Sequence, residues 1–239
     1  MISIKGLHKK FGKVIALKDV SIEFASSKSY AIVGPNGSGK TTLIKCILGM
    51  VLPDSGEIEV QGKNIWKQWM YRQSLGYMPQ IGRYPDNMRM GKLFDMIRDL
   101  RQIHSATDDE LITDFGLHAL FDKRMHTLSG GTRQKVSAAL AFLFGPSAFI
   151  LDEPTAGLDP LSVEILKAKI LKECDKGRLA LITSHIMSDL DELSSEVVYI
   201  EDGAIQYTNT IQQLKNETAE TKLGRAIATM MRRNLTSRE

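Results

Sequence analysis

Residues 34–42 read "GPNGSGKTT", which sets glycines, a lysine and hydroxyl side chains at the spacing Gly-x-x-x-x-Gly-Lys-[Ser/Thr]. Such a stretch wraps phosphates. Gly37 and Gly39 can take backbone angles closed to other residues, so that successive N–H groups converge on phosphate oxygens. Lys40 adds a point charge near the β and γ phosphates, and the Thr41 hydroxyl is placed to ligate Mg²⁺. Asn36, Ser38 and Thr42 complete the run of candidate nucleotide-binding residues. A second group follows the apolar run of "AFILDEP", where Asp152 and Glu153 stand at the end of a strand. Neighbours in a strand point to opposite sides. Asp152 can therefore hold the Mg²⁺ shell while Glu153, just past the strand, orients or deprotonates an attacking water. His185 closes "LALITSH" in the same way, where it can donate a hydrogen bond to the γ-phosphate. A third group is "TLSGGTRQK", residues 127–135, in which Ser129, Gly130 and Gly131 open a helix and so offer free N–H groups and a positive dipole end to an anion.

These groups need a scaffold. "SIKGL", "VSIEF", "SYAIVG", "GEIEVQG" and "LGYMPQ" alternate or run apolar like strands, with one helix, "KTTLIKCILGM", after the third. This makes the first third a β-rich lobe. From about residue 86 to 145 the pattern is helical: "MGKLFDMIRDLRQI", then "DDELITDFGL" with Thr107 as N-cap, then a helix written from Thr132. "AFILDE" and "LALITSH", separated by the helix "SVEILKAKILKECDKG", have the strand–helix–strand rhythm of a buried parallel sheet. "SEVVYIEDGAIQYT" turns as a hairpin at Asp202 and Gly203. The fold class is α/β, read as a single domain over residues 1–239.

The 239 residues carry 43% hydrophobic and 25% charged side chains with a net charge of +3, which excludes disordered classes and does not call for nucleic acid. Cys46 and Cys174 are far apart in helix-like stretches, so neither a disulfide framework nor a zinc site is indicated and a reducing compartment fits. The start lacks the apolar core of a signal peptide, and "AALAFLFGPSAFIL" is interrupted and too short to cross a bilayer. Any membrane-spanning part must come from another chain. Residues 211–239 read as a short tail whose end, "MMRRNLTSRE", could favour an anionic surface but reads more simply as frayed into solvent. Trp66 and Trp69 read as packing residues at the edge of the β-rich lobe.

"GPNGSGKTT", "LSGGTRQK", "FILDEPTAGLDP" and "ITSH", in that order and spacing, resemble the ATPase subunit of an ABC transporter from about Ile2 to Thr210. The resemblance implies a P-loop ABC-type ATPase with a β-rich lobe, a RecA-like parallel-sheet core and an α-helical subdomain. It implies that Phe11 in "KKFGK" stacks on adenine. Gln80 in "GYMPQ" would sense Mg²⁺ and the attacking water, and Asp159 in "GLDP" would lie on a loop crossing a dimer interface. In this family the signature serine and glycines bind the γ-phosphate of an ATP held by the opposite subunit. One P-loop and one signature per chain then imply pairing, here read as a homodimer around two Mg-ATP. A separate membrane permease would be the second partner, and the chain would be cytoplasmic and peripheral on the inner face of the membrane.

Three related classes compete. A chromosome or repair ATPase needs a long coiled coil between P-loop and signature, yet only 88 residues separate Lys40 from Ser129 and they carry no heptads. A translation factor of this superfamily would have two heads on one chain. A soluble ATPase assisting iron–sulfur cluster assembly has similar size and motifs and stays as the alternative. Met88, Met90 and Met96 follow Gln80; thioethers suit Cu(I), but adaptable methionines packing a permease helix explain them more simply. "LGYMPQIGRYPDNM" is also similar to ATPases serving copper-site maturation of nitrous oxide reductase.

Overall fold

A computed structural model describes residues 1–102 and 107–236. The chain divides into two compact units, Met1–Tyr71 with Leu179–Glu239, and Arg72–Arg178. The first unit begins with β1 (Ile2–Phe11), β2 (Val14–Phe24), β3 (Ser29–Val33), α1 (Lys40–Ile47), β4 (Ser55–Val60) and β5 (Lys63–Asn64). The second holds β6 (Leu75–Met78), α2 (Met90–Arg101), α3 (Glu110–Asp114), α4 (Gly130–Phe142), β7 (Ala148–Asp152) and α5 (Pro160–Asp175). The first unit then resumes with β8 (Leu179–Thr183), α6 (Met187–Leu193), β9 (Glu196–Glu201), β10 (Ala204–Thr210), α7 (Ile211–Thr218) and α8 (Leu223–Thr236).

In the first unit, β1 lies between β2 and β4 in an antiparallel sheet that β5 extends. Ile2 and Ile4 of β1 and Ile58 and Val60 of β4 are buried at the period of two that a one-sided sheet demands, while β2 buries Leu17, Val20 and Phe24 at spacings of three and four, where its pairing with β1 is irregular. Strand β3 runs parallel to both β8 and β9. Every residue of β3 and β8 is buried, which is why both read as continuous apolar runs rather than as alternation. Strands β9 and β10 form the expected hairpin; Asp202 (φ 49°) and Gly203 (φ 76°) both take left-handed backbone, as a two-residue turn between twisted strands requires.

Two expectations about packing fail in this unit. Trp66 and Trp69 are not packed, being 52% and 62% exposed. The end of the chain does not fray at Met230. Leu223, Ala226, Ile227 and Met230 are buried along one face of α8 at the i, i+3, i+4, i+7 spacing of an amphipathic helix, a period the charged "MMRR" obscures. Asp191 on α6 pairs with Lys215 of α7 and accepts the Leu223 N–H at 3.1 Å, fastening both helices. Residues 237–239, the last of the expected tail, lie outside the described residues.

In the second unit, β6 and β7 pair in parallel, Leu75 with Ala148 through Met78 with Leu151. Helix α4 crosses β6 so closely that a Cβ on Gly76 would lie 2.2 Å from the Ala141 carbonyl oxygen. Phe142 stacks on Phe149 with centroids 4.3 Å apart. Helix boundaries differ from expectation where tertiary partners decide them. Thr107 is not an N-cap: α3 begins at Glu110, and the Thr107 hydroxyl donates to Asp109 at 2.7 Å. Helix α2 stops at Arg101 with Gln102 left-handed, and Ile103 lies outside the described residues. Helix α4 starts two residues before Thr132, and α5 starts at Pro160 with Asp159 as its cap. Met90 is fully buried, so it cannot line a groove for a partner. Lys169, whose side chain is 2% exposed, joins Asp108 (2.6 Å), Glu110 (2.8 Å) and Glu173 (3.2 Å) and so ties the start of α3 to α5.

Candidate nucleotide site

In the first unit the phosphate loop joins the buried strand β3 to α1. Gly34 has φ 151°, and a Cβ there would lie 2.0 Å from the Ile200 carbonyl oxygen. Gly39, at φ 107°, would clash with the Ala16 carbonyl at 2.5 Å. Gly37 meets nothing within 4 Å, so it is a glycine for its φ of 81° alone. Asn36 and Gly37 are exposed at the tip and Thr41 is exposed in the first turn of α1, while Thr42 is half-buried. The Lys40 ammonium donates to the carbonyls of Gly34 (2.7 Å) and Pro35 (2.9 Å), so the charge is held over the loop's own mouth. Helix α1 has no side-chain cap and no acid in its first turn, which leaves its positive end available. The Ser38 hydroxyl is buried with no hydrogen-bond partner among the described residues, a costly state unless a ligand satisfies it.

Two more candidates belong to this unit. Phe11 ends β1 and is 51% exposed, with the Lys9 ammonium 5.3 Å from its ring centroid. His185 is exposed and lies two residues beyond the end of β8 rather than in the strand. The next turn is fixed by the Ser184 hydroxyl, which accepts the Ile186 N–H at 2.9 Å.

In the second unit, Asp152 is the last, half-buried residue of β7. Glu153 is 8% exposed and takes φ 52°, left-handed backbone that a side-chain-bearing residue holds only when its surroundings impose it. Its carbonyl accepts the Ala156 N–H at 3.2 Å and the Gln134 side-chain amide at 3.3 Å. Asp159 caps α5 by accepting the Ser162 N–H (3.0 Å) and hydroxyl (2.8 Å), and pairs with Lys135 at 2.8 Å. The Lys135 hydrogen bond foremost, then those from Ser162, holds the Asp159 carboxyl well below the usual carboxylate range. Gln80 is exposed in the bend after β6.

Helix α4 opens with Ser129 as N-cap, its hydroxyl accepting the Thr132 N–H at 3.1 Å. Ser129 and Gly130 are exposed, and a Cβ on Gly130 would meet nothing within 4 Å. Gly131 is the opposite: its Cβ would lie 2.8 Å from the Gly157 carbonyl oxygen. The second unit therefore brings together Gly131, Glu153 and Asp159 of the candidate set. Gln134, Lys135 and Gly157 escaped the sequence reading. Gln134 and Lys135 fall four residues after Gly130 and Gly131, on one face of α4, and that spacing was the available signal.

A cradle after a buried parallel strand, two carboxylates at a second strand end and an open serine–glycine helix start define a nucleotide-hydrolysing P-loop protein. The family profile described as "ABC transporter" matches residues 17–156. The chain belongs to that family, as an ATP-binding and ATP-hydrolysing ABC ATPase. It is 30% identical over 227 residues to the lipopolysaccharide export system ATP-binding protein LptB of Acidithiobacillus ferridurans, covering 91% of this chain and 93% of the relative. In fold it matches the solved ATP-binding subunit of an ABC transporter with TM-score 0.88 at 24% identity, over 97% of this chain and 99% of the other. A dimeric ATP-binding cassette in a post-hydrolysis state with ADP and Pi matches with TM-score 0.76 at 20% identity, over 88% and 98%. No helix among the described residues is long and apolar enough to cross a membrane.

Proposed function

We propose that this ABC ATPase closes as a homodimer around two ATP molecules and that opening on hydrolysis drives a separate membrane permease from the cytoplasmic side. Lys40 and the N–H groups of residues 36–42 hold the phosphates, and Phe11 stacks on the base. Ser129, Gly130 and Gly131 cap the γ-phosphate held by the other copy. Gln80 reports the state of the nucleotide to the permease, and Asp159 lies at the interface between copies. The observation that carries this reading is the exposed start of α4, open around Gly130 and without an acid in its first turn, on a chain with a single phosphate loop. Such a helix start favours a facing anion, and the phosphate loop of the same chain has its own helix for its own phosphates.

Thr41 in the first unit, and Asp152 and Gln80 in the second, carry oxygen donors of the kind Mg²⁺ takes and would hold it. The unsatisfied Ser38 hydroxyl in the cradle also fits a bound phosphate and its ion. When bound, the ion supplies charge neutralisation on the phosphate oxygens. Glu153 orients the attacking water and takes its proton, and His185 donates a hydrogen bond to the γ-phosphate. Nothing in the fold or among these relatives favours iron–sulfur assembly or a copper-enzyme link.

The test is Glu153→Gln. ATP binding should persist while turnover falls about 100-fold or more, the scale of a lost general base, and ATP should shift the chain to a dimer by light scattering. Hydrolysis at the normal rate would remove Glu153 from the role.

A further inference from the structure

Both tryptophans of the chain stand on one exposed turn of the first unit, just after β5. Trp66, Trp69 and Met70 are 52%, 62% and 53% exposed. Large apolar side chains left singly in water are ordinary, but three within five positions make a patch that calls for a covering. The turn does not need them for its own shape. The Asn64 side chain accepts the Trp66 N–H at 2.8 Å, the Ile65 carbonyl accepts the Gln68 N–H at 3.0 Å, and Lys67 takes left-handed backbone at φ 56°. Lys63 and Lys67 are exposed on the same segment, and residues 60–85 contain no Asp or Glu. Glu59, the nearest acid before them, stands opposite Asn64 in the sheet and so on the other side of the pleat from Lys63. The charge carried by the turn itself is of one sign.

We propose that residues 63–70 are a lipid contact: Trp66, Trp69 and Met70 enter the headgroup layer of an anionic leaflet while Lys63 and Lys67 meet the lipid phosphates. Charge complementarity carries the choice of occupant. Indole rings have an apolar body and a polar N–H edge, which suits them to the level of the headgroups, and ammonium groups on long stems reach the phosphates beside them. More than half of each of the three apolar side chains is open to water, so the patch projects towards a surface, whereas a partner helix needs a groove to lie in. The chain makes this contact by itself, without permease or ATP, so the inference goes beyond the ATP-sandwich reading and is tested apart from it. Held on the leaflet, the chain meets any membrane-embedded partner at a raised effective concentration.

The experiment uses the full chain, without nucleotide, and vesicles of phosphatidylcholine either alone or with about one-quarter phosphatidylglycerol. The chain has no other tryptophan, so its emission reads this turn alone. Anionic vesicles should shift the emission to the blue, shield it from an aqueous quencher and co-sediment the chain. Neutral vesicles should bind about tenfold more weakly or less, and added salt should loosen the anionic complex. Trp69→Ala should weaken partition about tenfold, the scale of one ring's lost apolar area, with Trp66 still reporting. Lys63→Gln combined with Lys67→Gln should weaken it about fivefold per lysine. These side chains are exposed, so the melting temperature should hold; if Trp69→Ala melts early, the lysine pair carries the test. No blue shift with anionic vesicles overturns the proposal and leaves the turn to a protein partner. Co-sedimentation without a shift also overturns it and moves the lipid contact to another basic stretch, such as Arg232 and Arg233 of α8. Equal binding to both kinds of vesicle removes the charge argument and the proposal with it.

Discussion

The chain carries two glycine-rich helix starts, at α1 and at α4, and they are built differently. The start of α1 has no side-chain cap; its lysine bends back onto two carbonyls and a buried serine hydroxyl goes unsatisfied. The start of α4 caps itself with Ser129 and stands open to solvent around Gly130. The first is incomplete without a ligand, and the second is complete as a helix yet exposes a positive end. Helices α3 and α5 make a further contrast. Glu110 lies in the first turn of α3 and Asp159 caps α5, so each meets its own carboxylate. At α3 and α5 the chain supplies the carboxylate itself; at α1 and α4 it does not, a feature that α2 and α7 share, so it is the glycine-rich approach together with the missing acid that sets α1 and α4 apart.

The largest effect that would break this comparison is on nucleotide affinity. Lys40→Ala should weaken ATP binding to the isolated chain about 10- to 100-fold by calorimetry, the scale of a charge-assisted contact. Under the proposed ATP sandwich, Ser129→Ala should leave that affinity unchanged and should instead abolish ATP-driven dimerisation of Glu153→Gln. Equal losses of affinity in both variants would erase the distinction between the two starts.

Adding a methyl group sharpens it. Gly39→Ala places a Cβ 2.5 Å from the Ala16 carbonyl at a φ of 107°, so it should destabilise the fold by about 2 kcal/mol or more in denaturant melts. Gly130→Ala enters open space in a helix and should be neutral or stabilising by up to about 1 kcal/mol. Under the proposed ATP sandwich it should nevertheless slow hydrolysis, since the added methyl group would face the phosphate of the other copy.

The motifs of both starts were legible because their chemistry is local. Glycine spacing, a lysine and a serine cap need no tertiary partner to be read, and the buried parallel strands announced themselves as unbroken apolar runs. What stayed hidden depends on partners distant in sequence. Thr107 looked like a cap until Asp109 and the buried Lys169 decided where α3 begins. Met90 looked like part of an adaptable surface, but its register on α2 turns it into the core. The grip of Gln134 on Glu153 spans 19 residues and exists only after α4 has packed on β6. In α8 the apolar face was present, but the charged residues beside it drew the reading towards a frayed end.

The smallest effect concerns the helix start that fills itself. The Lys169 and Lys172 ammonium groups at 2.8 Å, chiefly through their hydrogen bonds, pull the Glu110 carboxyl down to about 2 from its ordinary 4.5. A depressed carboxyl favours the folded state fully above its unfolded value of 4.5. That contribution shrinks as pH falls through 4.5 and is gone once pH passes about 2. Because Glu110 is about one-third exposed, solvent screens the gain and the shift in melting temperature should be modest. Glu110→Gln cannot ionise, so it should melt below the native chain at pH 6 to 7, and the two melting curves should converge as pH is lowered towards about 3. ATP affinity at neutral pH should be the same in both, since this carboxylate serves its own helix and the neighbouring lysines. A constant gap in melting temperature across that pH range would mean that the Glu110 charge is not what fastens the start of α3.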